Sequence, residues 1–182
     1  MVTLLVFVVS CTGPAYLRTK TGKIKHLCNA PIFYAYDNTV DPSHMRAIED
    51  GMDYWNVVLG TRMFLYGGTD ISAKNSSRDL LIFSEVKDLK GHCGIAFIHS
   101  KGASGCTSSM NIVLDKDCMD PLRAETLVRH EVGHILGLAN TDNPEHLMMI
   151  NVLEHFKIGA TEPIEADDSE IEAIKELYDG KN

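Results

Sequence analysis

Apolar positions fall into short β-prone runs early in the chain and into helical stripes in its middle and at its end. Residues 31–36 (PIFYAY) are aromatic and β-prone, and Asp37-Asn38 closes them off as a strand. Asp41-Pro42 then reads as a helix start, a cap acid with proline in the first turn. Met45, Ile48, Met52, Trp55 and Leu59 follow at three- and four-residue steps, an apolar stripe assigned to the core, with Gly60 as the stop. The runs 63–66, 80–83, 94–98 and 111–114 predict four more short strands, with polar loops at 67–78 and 100–109. Asp120-Pro121 repeats the helix-start signal, and that helix runs to Gly137. A third helix is predicted from Ser169, with Glu172 completing a capping box and Ile171, Ile174, Leu177 and Tyr178 on its apolar face. Strands with one early helix, then a helix-dominated end, predict an α+β domain.

With 182 residues and 45% hydrophobic side chains, the chain can bury one sizeable core. A net charge of −8 argues against gripping phosphate backbones, so no nucleic-acid partner is expected. Arg18, Lys20, Lys23 and Lys25 gather near the start and acids near the end, and both runs read as solvated. Residues 1–11 resemble an export signal: Leu4–Val9 is unbroken apolar, and Val8-Val9-Ser10-Cys11 resembles a lipobox, which would make Cys11 a lipid anchor. A hydrophobic β-strand is the other reading of that run. The expected division is 1–11 signal, 12–27 tether and 28–182 folded domain. Setting Cys11 aside leaves Cys28, Cys93, Cys106 and Cys118, an even set with three possible pairings. A Cys93–Cys106 staple across the Gly/Ser-rich loop, with Cys28–Cys118 as the second bridge, is the expected one. Disulfides agree with export.

The second helix carries His130-Glu131-Val132-Gly133-His134. Four residues advance a helix by a little more than one turn, so both imidazoles leave the same face and can reach one metal ion. Glu131 is offset from that line and can take a proton from a water there. This is the chemistry of metal-assisted amide hydrolysis.

The wider segment 130–150, HEVGHILGLANTDNPEHLMMI, resembles the zinc site of the metzincin metallopeptidases, in particular the matrixin branch. Gly137 matches the family glycine that lets the chain turn back, and Met148 matches the methionine of the Met-turn below the metal. The last helix, with its I-x-x-I-x-x-L-Y pattern, also resembles that of matrixins. The resemblance implies a metzincin-like α+β domain with a mixed twisted sheet, an active-site helix and a small C-terminal part after the Met-turn. It further implies a monomeric zinc-dependent endopeptidase acting on protein or peptide, with Glu131 as general base and the substrate extended along Gly94–Ile98. The metal ligands would be His130, His134 and a third at Asn140, where the family has histidine. An amide oxygen is a poor zinc ligand, so a water or Asp142 could serve instead, or the site could be degenerate. A degenerate site would make the chain a non-catalytic metzincin-like lipoprotein that binds a partner in the same groove. Hydrolysis of another amide, such as a cell-wall peptide, is a third reading. Calcium at Asp115, Asp117 and Asp120 is weighed against a loop-and-cap role for these acids. His146, His92 and His99 are read as ordinary histidines, and Met149 stands where some metzincins place an oxyanion-stabilising tyrosine.

Overall fold

The computed structural model describes residues 15–68, 80–100, 104–150, 152 and 161–178. The signal segment with Cys11 lies outside them, as do residues 69–78 of the first polar loop and residues 101–103 of the second. The elements run β1 (Ile32–Tyr36), α1 (Met45–Leu59), β2 (Phe64–Tyr66), β3 (Leu80–Val86), β4 (Gly94–Ser100), β5 (Thr107–Asp115), α2 (Pro121–Leu136) and α3 (Asp168–Tyr178). The sheet order is β2-β1-β3-β5-β4. Strands β2, β1, β3 and β5 are parallel, while β4 runs antiparallel to β5 and forms one edge. This is the mixed sheet that the family resemblance implies.

Helices α1 and α2 pack together over the sheet. Ile48, Met52 and Trp55 of the α1 stripe are fully buried, as are Leu81, Phe83, Ile112 and Leu114 from the strands. Burying each such side chain contributes about 1.5–3 kcal/mol. The helices approach closely at Gly51, where an added Cβ would lie 2.7 Å from Val128 Cγ1. Trp55 Nε1–H donates to the Arg129 carbonyl at 2.9 Å, so a core side chain also fixes the helix that carries the histidine motif.

Four expectations are corrected. Helix α1 begins at Met45, because Asp41 caps a preceding turn and its Oδ1 accepts from the Ser43 N–H and hydroxyl. The capping box of α3 is Asp167 with Glu170, one acid pair upstream of Ser169 and Glu172: Asp167 Oδ1 accepts from Glu170 N–H, and Glu170 Oε2 accepts from Asp167 N–H. The disulfides are Cys28–Cys106 and Cys93–Cys118, with Cα separations of 5.4 and 5.6 Å. Loop proximity misled the expected pairing, since Cys93 precedes β4 and therefore lies at the end of β5 that leads to Cys118. Finally, the tether reading of 12–27 does not hold for its described part. Leu17 N–H donates to Gly137 O and Ala139 N–H to Ala15 O, while Arg18 and Ile24 pair in a small hairpin. Leu27 is buried, and its N–H donates to Tyr178 Oη, which itself donates to Leu136 O.

Candidate metal centre

Most of α2 is buried, including His130 at 7% and Glu131 at 4% exposure. The imidazoles of His130 and His134 stand one turn apart, ring centroids 4.8 Å apart and planes nearly perpendicular. His130 Nδ1 lies 2.8 Å from the Leu147 carbonyl, and His134 Nδ1 lies 2.9 Å from that of Leu138. A carbonyl only accepts, so each Nδ1 carries the proton and each Nε2 keeps its lone pair. Burial, with the neighbouring His134 adding to it, pushes the His130 pKa down to about 4. Burial lowers that of His134 as well. Two neutral imidazoles at neutral pH are the ligand form.

The third group arrives through the turn after α2. Gly137 adopts φ +114°, a left-handed cap whose N–H reaches the carbonyls of Gly133 and His134. A Cβ there would lie 2.6 Å from the Lys25 carbonyl, so the turn needs glycine both for its conformation and for the N-terminal segment packed on it. The chain reverses, and the Asn140 side chain comes to the same cavity wall as both imidazoles. Asn140 and Asp142 are both exposed, and of the two it is Asn140 that lines the cavity. Between the two candidates for third ligand, the fold therefore brings Asn140 to the histidines. Two neutral imidazoles with protonated Nδ1 atoms, one buried and one half-buried, plus an amide oxygen on the same cavity wall, fit a zinc ion, though less tightly than three imidazoles would.

Beneath this set lies the turn holding Met148. Thr141 N–H donates to Met148 O at 2.9 Å and Ile150 N–H to Thr141 O at 3.0 Å, stitching the Asn140 turn to the Met148 turn. Met148 packs under α2 at Gly133, where a Cβ would meet its Sδ at 2.4 Å. Sequence reasoning missed the support below: the fully buried Glu170 accepts from Leu147 N–H at 3.0 Å and Met148 N–H at 2.8 Å. The D-x-x-E spacing at Asp167 and Glu170 was its only sequence signal. His146 is buried and points away from the imidazoles, its Nε2 2.8 Å from Asp167 Oδ2.

Glu131 faces β4 and accepts a hydrogen bond from the Ala96 backbone N–H. Burial nonetheless pushes its carboxyl up to about 8. Gly94 makes room for it, since a Cβ would lie 2.7 Å from Glu131 Oε1. His130, Glu131, His134 and Asn140 line one cavity of about 420 Å³ together with residues 91–96, Leu127, Ile150 and Val152. His92 is part of that wall, whereas His99 is not. Two of the acids weighed as calcium ligands serve the local backbone: Asp115 accepts from Leu89 and Asp117 N–H groups, and Asp120 caps α2 by accepting from Arg123 N–H.

A mixed, mostly parallel sheet with an antiparallel edge strand over an H-E-x-x-H helix, and a methionine turn below that helix, defines a metzincin-type metallopeptidase fold. The matrixin family profile matches residues 46–179, and the chain belongs to that family. No curated protein is significantly similar to it. Among solved structures it is similar to archaemetzincin from Archaeoglobus fulgidus in complex with malonate, at 15% identity and a TM-score of 0.46, covering 79% of this chain and 99% of that one. It is also similar to metalloproteinase-II from Bacteroides fragilis, at 10% identity and a TM-score of 0.42, covering 74% of this chain and 49% of that one.

Proposed function

We propose that the chain is a zinc-dependent endopeptidase whose metal is held by His130, His134 and Asn140. The observation that carries this reading is the convergence of two Nδ1-anchored neutral imidazoles, the Asn140 amide and the Glu131 carboxyl group on one cavity beside the edge strand β4. When bound, zinc would acidify a water and polarise the scissile carbonyl. The protein's own groups do the rest. His130 and His134 present Nε2, held in place by the Leu147 and Leu138 carbonyls. Glu131 accepts a proton from the attacking water at a carboxylate oxygen and delivers it to the departing amine nitrogen. An extended substrate would add as a strand along β4, so recognition rests largely on substrate backbone. Export with an anchor at Cys11 is part of the same proposal, and two disulfides suit an oxidising compartment.

The test is zinc content by elemental analysis after dialysis against a mild chelator, alongside hydrolysis of casein and of peptidoglycan fragments. The expected result is about one zinc per chain and casein cleavage that Glu131→Gln abolishes. Cleavage of peptidoglycan fragments alone would reassign the substrate to cell-wall peptide. Zinc-loaded protein without Glu131-dependent hydrolysis of either would overturn the enzyme and leave a groove-binding protein.

A further inference from the structure

A second group of metal-ligating side chains lies on the N-terminal segment. The ligand atoms of His26, Cys28 and Cys106 all fall within 4.8 Å of one another. We infer that, once the Cys28–Cys106 disulfide is reduced, these three residues form a thiolate–imidazole site for a soft or borderline divalent metal such as zinc.

The imidazole is oriented as a metal ligand would be. His26 Nδ1 lies 3.0 Å from the Ile24 carbonyl, which only accepts, so Nδ1 carries the proton and Nε2 keeps a lone pair. That lone pair faces Cys28 Sγ at 3.4 Å. A disulfide sulfur has no hydrogen to give, so in the oxidised protein two acceptors meet. A metal ion bonded to both sulfurs and to Nε2 would satisfy the imidazole, as a second-shell carbonyl on Nδ1 commonly does for a ligating histidine. The Nδ1–carbonyl arrangement is the one found at His130 and His134.

Backbone pairing sets two of the three residues together without help from the disulfide. His26 N–H donates to Gly105 O at 3.1 Å, and Thr107 N–H donates to His26 O at 2.9 Å, a parallel bridge that sets His26 beside Cys106. Gly105 is held at φ +86°, and a Cβ there would collide with the Ile24 carbonyl that anchors the imidazole. Cys28 is exposed, so a reductant can reach its sulfur. The balance is simple. An external dithiol gives two electrons and two protons to the Cys28–Cys106 bond and is itself oxidised to a disulfide. Metal binding then releases both thiol protons to solvent, and the two sulfurs with Nε2 supply three donors, leaving the fourth position to water. The segment that packs on the Gly137 turn would thereby stay fastened to residues 104–107 at the start of β5 by sulfur–metal bonds in place of the sulfur–sulfur bond.

The test uses the full chain, reduced with a phosphine and titrated with Co²⁺ alone. Thiolate–cobalt charge-transfer absorption reports only cysteine ligation, and the His130–His134–Asn140 centre has no thiolate, so this readout is independent of the peptidase proposal. The expected result is a band in reduced but not oxidised protein, lost in Cys28→Ser, kept in Cys93→Ser, and with Co²⁺ affinity about tenfold lower in His26→Ala. A reduced protein with no band overturns the site, as does a band that survives Cys28→Ser. Should a variant fail to fold, the unmodified sequence still decides: Zn²⁺ should slow iodoacetamide alkylation of Cys28 and Cys106 about tenfold while leaving Cys93 and Cys118 unchanged. Equal alkylation of all four with and without Zn²⁺ overturns the proposal.

Discussion

Replacing Gly133 by alanine sets two effects of known sign against each other. Alanine favours a helix interior over glycine by about 0.8–1 kcal/mol. At this position, however, the new methyl would lie 2.4 Å from Met148 Sδ, 3.3 Å from its Cε and 3.6 Å from Trp55 Cζ2. Met148 and Trp55 are both buried to 1% exposure or less, so the methionine has to repack within the core and presses on its own turn. Overpacking of this kind costs about 1–3 kcal/mol. The net expectation is a loss of about 1 kcal/mol, a fall of roughly 2–4 °C in the melting midpoint for a chain of this size. The turn also carries the Leu147 carbonyl that holds His130 Nδ1. Displacing such a partner costs about 10–100-fold in metal affinity. Thermal melts of chelated protein with its disulfides intact would read the first quantity, and zinc competition titrations the second. Gly51→Ala is the control, because its methyl would strike Val128, away from the Met148 turn, and should cost stability while sparing zinc affinity. A Gly133→Ala protein that melts no lower and binds zinc as tightly as the parent would refute the reasoning.

Three further outcomes are expected. Asn140→Ala should weaken zinc binding about tenfold or more, Asn140→His should strengthen it, and Asp142→Ala should leave it unchanged; equilibrium competition with a chromogenic chelator distinguishes them. In chelated protein, the raised Glu131 pKa means that the folded state keeps a proton the unfolded state releases between its ordinary value of 4.5 and about 8. Its contribution is therefore fully present below 4.5 and lost as pH rises towards 8, so Glu131→Gln should gain stability relative to the parent across that window, read by urea melts at either end. Tyr178→Phe removes the acceptor for Leu27 N–H and the donor to Leu136 O, and should cost about 1–3 kcal/mol in a denaturant melt.

Much of the fold is legible in local pattern, because strands and helices advertise themselves by period and by cap. The α1 stripe, the Asp120-Pro121 start of α2 and the left-handed Gly137 stop are all readable from residues that lie next to one another. So is the pairing of His130 with His134, since one helical turn sets it. Chemistry that depends on a helix can be read from a helix.

What only the tertiary structure decided are relations between segments distant along the chain. Asn140 and Asp142 are two residues apart, and in the turn held by the bridge between Thr141 and Met149 it is Asn140 that lines the cavity of the imidazoles. The cysteine pairing depended on strand order, because β4 runs back along β5 and carries Cys93 towards Cys118. Glu170 supports the Met148 turn from a helix more than twenty residues downstream, and no periodicity announces a buried carboxylate serving backbone amides. Residues 15–27, polar and basic enough to pass for a free tether, are held by ladder hydrogen bonds to the turn after α2. Backbone pairing of this kind is nearly blind to side-chain type, which is why sequence alone did not reveal it.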